Sequence, residues 1–236
     1  MQSRNEYFYR DINWSALKHT HSITPEIQNH LVNVYTTLAA TILCAAVGSL
    51  VFLKTLFGGG LTFLVGFMLL FWLAITPKEE VSKRLGILFA FSFVEGLSIG
   101  PLLLSVAAVD PAIITQAFLG TVCIFGCFSA SAYFAERRSY LFLGGMLGSA
   151  LTSMIVLGFL NIFLGSAFLF NGLLYLGLLV FCGFVIFDTQ LIIEKAGSGR
   201  KDFVQDALEL FLDFVNIFVR LLIILAKDKK KNNNRK

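Results

Sequence analysis

The sequence predicts an all-α polytopic membrane protein of seven helices, in which the C-terminal helix lies at the centre. Hydrophobic residues make up 56% of the 236 residues, and charged residues only 14%, against roughly 25% in soluble domains. Apolar runs close to the ~20 residues that a bilayer core requires recur along the chain. We therefore expect one membrane domain over residues 31–226, between a polar N-terminal segment (1–30) and a basic tail (227–236).

Six apolar segments precede the C-terminal helix and are taken here in chain order. The first is expected to follow a helix start in which Thr24 is the N-cap and Pro25 lies in the first turn. The six segments are 31–53, 56–76, 85–108, 112–134, 140–160 and 167–190. Two GxxxG pairs, Gly96 with Gly100 and Gly144 with Gly148, predict places where helix backbones approach closely.

The seventh segment, 204–226, is long enough to cross a membrane and yet carries a stripe of polar residues. Steps of 3, 4, 3 and 4 residues separate the members of this stripe, which are Asp206, Glu209, Asp213, Asn216 and Arg220. Such spacing places them on one face of a helix. Because a charge in hydrocarbon costs at least about 2.5 kcal/mol, we expect this face to line a shared interior or a watery path.

The distribution of Lys and Arg predicts the topology of the first six segments. These residues cluster before the first segment and in the loops after the second, fourth and sixth, whereas the loops after the third and fifth have none. The positive-inside rule therefore places the N-terminus in the cytosol, and it also draws the basic tail there. A complete seventh crossing conflicts with that pattern. Either the seventh segment is re-entrant and buried by the others, or one end of the chain departs from the rule.

Acidic residues inside apolar segments are the strongest candidates for function. Asp188 ends the sixth segment and would alone suit a helix end near the membrane surface, but Asp213 lies on the next helix. Two carboxylates that meet in a poorly solvated place share a proton and titrate as a pair, which makes a pH-sensitive latch. When both are ionised, they form a hard-oxygen site suited to calcium. Glu95 is expected either to pair with Arg220 or to carry a proton as a spectator.

Four stretches resemble a known family. They are HSITPEIQNHLVNVY (21–35), AERRSYLFLGG (135–145), CGFVIFDTQLIIEKA (182–196) and LELFLDFVNIF (208–218). On these, the chain resembles the Bax inhibitor family, also called transmembrane Bax inhibitor motif proteins, and especially its endoplasmic-reticulum members in eukaryotes. The resemblance implies seven membrane helices around a central last one. It also implies a pH sensor formed by Asp188 and Asp213, and a latching arginine for which Arg84 is the best match.

The resemblance further implies a pH-sensitive calcium leak channel of the endoplasmic-reticulum membrane that lowers stored calcium and suppresses stress-induced cell death. The alternative is a non-conducting regulator that binds partner proteins of the cell-death and stress-response machinery. We expect Asp188 and Asp213 to bind calcium transiently as the transported ion, with no cofactor. The residues expected to support the pathway are Arg84, Glu95, Asp206, Glu209 and Arg220.

Other classes of function are excluded on the residues. An intramembrane aspartyl protease also needs two aspartates, but the chain has neither the Gly-x-Gly-Asp nor the Tyr-Asp motif of that class, so we expect no enzyme. Much of the net charge of +4 comes from the tail, which gives no indication of nucleic-acid binding. The expected partners are membrane lipid, calcium, cell-death regulators and other endoplasmic-reticulum membrane proteins, and the tail is expected in the cytosol.

Overall fold

The computed structural model describes residues 24–56, 58, 60–135 and 139–233. Most of the predicted polar N-terminal segment, residues 136–138 of the AERRSYLFLGG stretch and the last three residues of the tail lie outside these ranges. Within them the chain forms seven helices and no strand, as predicted. The helices are α1 (Pro25–Thr55), α2 (Gly60–Ile75), α3 (Val81–Ala107), α4 (Ala112–Phe134), α5 (Leu143–Leu164), α6 (Ala167–Gly197) and α7 (Phe203–Asn233).

Five of the described helices, α1, α3, α4, α5 and α6, are long and apolar enough to cross a membrane. The chain is therefore a multi-pass membrane protein. Helix α2 is apolar but shorter, and α7 has too many polar residues to qualify by composition. Local signals set the helix ends: Thr24 is the N-cap of α1 with Pro25 in its first turn, as predicted. Gly165 ends α5 in the left-handed conformation (φ 59°), which glycine adopts without strain.

Helix α7 is the centre of the bundle, because it packs against α1, α3, α4 and α6. Its side chains Leu210, Phe211 and Ile217 are completely buried. Helices α2 and α5 lie outside, on α3 and α6 respectively. They expose large apolar side chains such as Phe67 and Phe163, which suit contact with lipid. The prediction of a central C-terminal helix is confirmed.

Helix α7 is continuous and runs the whole length of the bundle. At its far end, Lys229 Nζ lies 2.9 Å from Asp110 in the α3–α4 turn, and Lys227 Nζ lies 2.6 Å from Asn171 near the start of α6. At its near end it follows the α6–α7 loop, where Lys201 pairs with Glu26 at the start of α1. A re-entrant helix is therefore not observed. The tail and the start of α1 lie at opposite ends of the bundle, and both cannot face the cytosol.

Close helix packing occurs where glycines predicted it, with one exception. A Cβ at Gly96 would meet the backbone of Ala45 on α1, and a Cβ at Gly100 would meet the Phe52 ring. A Cβ at Gly144 would meet the Phe187 ring, but one at Gly148 would have no neighbour within 4 Å in the described part of the chain. The first GxxxG pair is therefore a helix contact, whereas only one member of the second pair is.

Candidate functional site

The polar stripe of α7 lies along α6, and the two antiparallel helices meet in rows that repeat every seven residues. The three rows are Lys195 with Asp206, Asp188 with Asp213, and Phe181 with Arg220. A repeat of seven keeps the same faces of two helices in contact when they wrap gently around each other. The spacing on α7 was visible in the sequence, but its match on α6 (181, 188, 195) only becomes meaningful once the two helices are paired.

Asp188 and Asp213 meet at the middle row. Their carboxyl groups face each other closely enough to interact, and two carboxyl groups can form a hydrogen bond with each other only when one of them carries a proton. Asp213 is 4% exposed, and its Oδ2 atom is buried without a hydrogen-bond partner among the residues that the structure describes. The structure thus brings together the two residues that the sequence analysis paired. The free Oδ2 atom gives the pair an unused oxygen ligand.

A second polar cluster lies between this pair and the α6–α7 loop. The Lys195 Nζ atom lies 3.3 Å from Asp206 Oδ1 and 3.1 Å from Glu209 Oε2. The other oxygen of Asp206 lies 2.8 Å from His30 Nε2, and both of these side chains are almost completely buried. Sequence reasoning selected Asp206 and Glu209 but missed His30 and Lys195. The position of Lys195 seven residues after Asp188 could have indicated the latter.

Arg220 lies at the opposite end of the stripe. Its Nη1 atom donates to the carbonyl and side-chain oxygens of Asn216, at 3.0 and 2.8 Å, and its guanidinium lies 4.5 Å from the centre of the Phe181 ring. Arg220 therefore faces α6. Glu95, on α3, makes no hydrogen bond or ion pair with any part of the chain that the structure describes. Of the two roles expected for Glu95, the pair with Arg220 is wrong, because Glu95 is on α3 whereas Arg220 lies between α6 and α7. The role of a proton-bearing spectator stays a prediction.

Arg84 pairs with Asp202 in the loop before α7 and not with the aspartate pair. The Arg84 Nη1 atom donates to Asp202 Oδ1 over 2.7 Å, and Lys78 Nζ lies 3.9 Å from the other oxygen. Burial alone would raise the pKa of Asp202, but the hydrogen bonds from Arg84 and the Gln205 backbone outweigh it and lower this pKa. Arg84 thus clamps the start of α3 to the start of α7. Asp202 was missed because nothing in the sequence marks a loop aspartate as its partner.

The charged groups do not form a closed metal site. Among residues 24–233 that the structure describes, no three His, Cys, Asp or Glu side chains converge as metal ligands would. Calcium usually takes six to eight oxygen ligands, so two carboxylates leave most of its shell to water. The donor set therefore suits brief contact with a hydrated ion.

Comparison with known proteins identifies the family. The model of the family described as "Inhibitor of apoptosis-promoting Bax1" matches residues 27–230. A "Probable Bax inhibitor 1" of Paralichthys olivaceus is 50% identical over 231 residues, which cover 95% of this chain and 98% of that protein. The chain belongs to the Bax inhibitor family. "Bax inhibitor 1" of Homo sapiens is 48% identical over the same shares of the two chains. "Bax inhibitor 1" of Arabidopsis thaliana is 44% identical over 93% of this chain and 89% of its own.

The family match covers every residue of the site described above. It begins near the start of α1, three residues before His30, and ends within the last turns of α7. The likeness therefore extends over the whole helix bundle, and the resemblance seen in four short stretches of sequence is confirmed. This member of the Bax inhibitor family has its charged rows inside that bundle, at the seam between α6 and α7.

Proposed function

We propose that this protein is a pH-sensitive calcium leak pathway of the endoplasmic-reticulum membrane, which lowers stored calcium and thereby suppresses stress-induced cell death. The observation that carries the proposal is the meeting of Asp188, on α6, with the buried Asp213, on the central helix α7 of a membrane bundle. Suppression of cell death is supported by the family description, which names an inhibitor of apoptosis-promoting Bax.

The shared proton explains how such a pair would respond to pH. With one proton between them, the two carboxyl groups are bonded and hold α6 against α7. When that proton is lost, two negative charges repel each other at a buried seam, and the contact loosens. The same ionisation provides two carboxylate ligands for a calcium ion. By this effect alone, acid favours the closed contact and neutral pH favours the open one.

The acids nearer the α6–α7 loop give the ion a route to the pair. Glu209 and Asp206 lie on the same face of α7 as Asp213, about one and two helical turns closer to the loop respectively. Carboxylate oxygens at successive turns replace parts of the hydration shell of calcium in steps. This arrangement lowers the cost of bringing a divalent ion into the bundle.

The test is a calcium-flux measurement with purified protein in liposomes, without any partner protein. Flux is followed with an enclosed calcium dye at several pH values for wild type, Asp188→Asn, Asp213→Asn and the double variant. We expect wild-type flux that depends on pH, and a weaker dependence on pH and calcium in each single variant. The double variant should lose little more than either single one, because the two residues act as one unit.

Three outcomes would count against the proposal. Folded wild-type protein that conducts no calcium in these liposomes would exclude the leak and favour the alternative, a non-conducting regulator that acts by binding partner proteins. A pH profile that is unchanged in both single variants would remove the aspartate pair as the sensor. Losses that add fully in the double variant would show that the two residues act separately.

The cytosolic position of the tail stays a prediction, and the fold makes it sharply testable. Since α7 crosses the bundle, a cytosolic tail requires the α2–α3 and α6–α7 loops to face the lumen. Single cysteines are introduced at Lys231 and at Glu79 of a cysteine-free protein and treated in intact microsomes with a membrane-impermeant reagent, which reaches only the cytosolic side. We expect the cysteine at 231 to be labelled and the cysteine at 79 to stay unlabelled. Labelling of residue 79 but not 231 would place the tail in the lumen.

A further inference from the structure

Lys195 lies between the aspartate pair and the end of the bundle, and no role has been assigned to it above. It comes seven residues after Asp188 on α6, which is about 10.5 Å along the helix axis. Its ammonium group contacts both Asp206 and Glu209, at 3.3 and 3.1 Å. The Lys195 side chain is 23% exposed. An ion that enters from the α6–α7 loop along the acidic face of α7 therefore meets this ammonium group before it reaches Asp213.

The carboxylates that hold Lys195 are also held by other groups. Asp206 accepts a hydrogen bond from His30 at 2.8 Å, and Glu209 accepts one from the Gln205 side chain at 3.1 Å. If the ammonium group moved away, both carboxylates would still be oriented. Lysine is suited to moving, because its charge is compact and lies at the end of a flexible four-carbon stem. Two fixed anions with one movable cation form a cation-binding position that the protein fills from its own chain.

We propose that Lys195 is a tethered cation, which occupies the outer cation position of the path and must be displaced by a divalent ion before that ion can reach Asp188 and Asp213. The proposal rests on the leak function proposed above and adds the residue that selects the ion. Asp188 lies within electrostatic range of both Lys195 and Glu209. Displacement of the ammonium group therefore changes the field at the aspartate pair as well.

Competition with a tethered ammonium group favours divalent over monovalent ions. A tethered group competes at a high effective concentration, in the millimolar range or above for short flexible links. A potassium ion has the same charge as the ammonium group and so gains nothing by replacing it. A calcium ion is attracted to the same two carboxylates about twice as strongly by Coulomb's law. It also prefers carboxylate oxygens as ligands, so it can displace Lys195 where potassium cannot.

The experiment measures how calcium and potassium shift the thermal unfolding of purified protein in detergent, because a ligand that binds the folded state stabilises it. Lys195→Met removes the charge and keeps the stem, Lys195→Gln keeps a hydrogen-bonding end, and Lys195→Arg keeps the charge. Lys201→Met is the matched control. It removes a lysine at the same end of the bundle whose partner, Glu26, lies outside the stripe.

We expect the calcium concentration at half-maximal stabilisation to fall about tenfold in Lys195→Met and Lys195→Gln. This is the effect of removing one positive charge about 10 Å from the aspartate pair at an intermediate dielectric constant. Stabilisation by potassium should appear in these two variants only. Lys195→Arg and Lys201→Met should behave as wild type. In liposomes, Lys195→Met should leak faster than wild type and lose its preference for calcium over potassium.

Several results would overturn the inference. A Lys195→Gln protein that folds and has the wild-type calcium midpoint would make Lys195 an ordinary ion-pair partner, as would a wild type that calcium does not stabilise. If the wild type conducts calcium and Lys195→Met has the same calcium midpoint and the same flux, the tethered cation is rejected and the leak function is retained. Conversely, a shifted calcium midpoint in protein that conducts nothing would support the tethered cation and reject the leak.

Discussion

Two seams of this bundle are built in opposite ways. Where α1 meets α3, glycines bring two backbones together, and a Cβ at Gly48 or Gly96 would run into the main chain of the other helix. Where α6 meets α7, the contacts are charged rows, with Asp188 on Asp213 and Lys195 on Asp206. Both seams lie inside the same membrane domain, so the surrounding lipid does not explain the difference.

The contrast shows which part of the bundle can respond to its surroundings. Contacts between small apolar residues depend on close fit and dispersion, which neither protons nor ions alter. Charged rows exchange protons and counter-ions, and their stability depends on both. We therefore expect the α1–α3 seam to be a fixed frame and the α6–α7 seam to be the part that changes. Substitutions in the two seams test this division, and the largest effect is expected in the fixed frame.

Gly96→Ala should destabilise the folded bundle most, by about 3 kcal/mol, because the added methyl group meets the backbone of Ala45 and the two helices must separate. Thermal unfolding in detergent measures this. Gly86→Ala is the control on the same helix, because a Cβ there has no described atom within 4 Å and alanine favours a helix over glycine by up to ~1 kcal/mol. Equal losses in the two variants would show that the α1–α3 seam is not tightly fitted.

Arg84→Met should cost about 2 kcal/mol, which is less than the roughly 3–5 kcal/mol for removing one partner of a fully buried ion pair, because Asp202 is 17% exposed. The pKa of Asp202 is lowered in the folded state, so its stabilising effect is complete above its ordinary value of 3.8 and is lost as the pH falls through the lower folded value. The gap in melting temperature between wild type and variant should therefore narrow below about pH 4.

The control for this pair is Lys83→Met, one residue earlier on α3. Lys83 pairs with Glu80 over 2.9 Å, but both side chains are nearly half exposed. Exposed pairs contribute about 0–1 kcal/mol, so the variant should melt close to wild type at every pH. An Arg84→Met gap that stays constant down to pH 3 would contradict the role of Asp202 as the titrating partner.

Asp213→Ala and Leu212→Ala should affect different properties although the residues are adjacent. Asp213 lies in the polar stripe of α7, so removal of its carboxyl group should reduce calcium flux while the protein still folds. Leu212 packs against the apolar core, so its truncation should lower the free energy of unfolding by about 1–3 kcal/mol and spare flux. Flux and thermal unfolding are measured at matched amounts of protein. Equal loss of flux from both changes would mean that the polar stripe of α7 has no special role in calcium flux.

Gly177→Ala should have the smallest effect, less than about 1 kcal/mol, although it is the same substitution as Gly96→Ala. A Cβ at Gly177 meets the ends of the Arg220 and Met154 side chains, which can move aside, whereas backbone cannot. Thermal unfolding of the two variants side by side compares the two seams directly. A loss at Gly177 as large as that at Gly96 would show the α6–α7 seam to be equally rigid.

The sequence predicted the central Asp188–Asp213 pair of the candidate site but not the pairs around it. Asp188 and Asp213 could be named from family motifs and from the rarity of acids in apolar helices. His30 and Asp202 could not, because they come from α1 and from a loop, far from their partners in the chain. The predicted Glu95–Arg220 pair was wrong for a related reason. Both residues are intramembrane charges, but their spacing in the sequence does not show which neighbouring helix each one faces.

The sequence by itself determined the membrane class, most helix boundaries to within four residues and the polar stripe of α7, because these depend on local hydropathy, capping and a period of 3.6 residues. The exceptions are the ends of α6 and α7, at Gly197 and Asn233, which lie seven residues beyond the predicted ends at 190 and 226. Only the tertiary structure decided that α7 crosses the bundle, that its stripe faces α6, and that Arg84 holds Asp202. These properties depend on the register and rotation of whole helices. Contacts between residues distant in sequence set that register, and no local pattern encodes it.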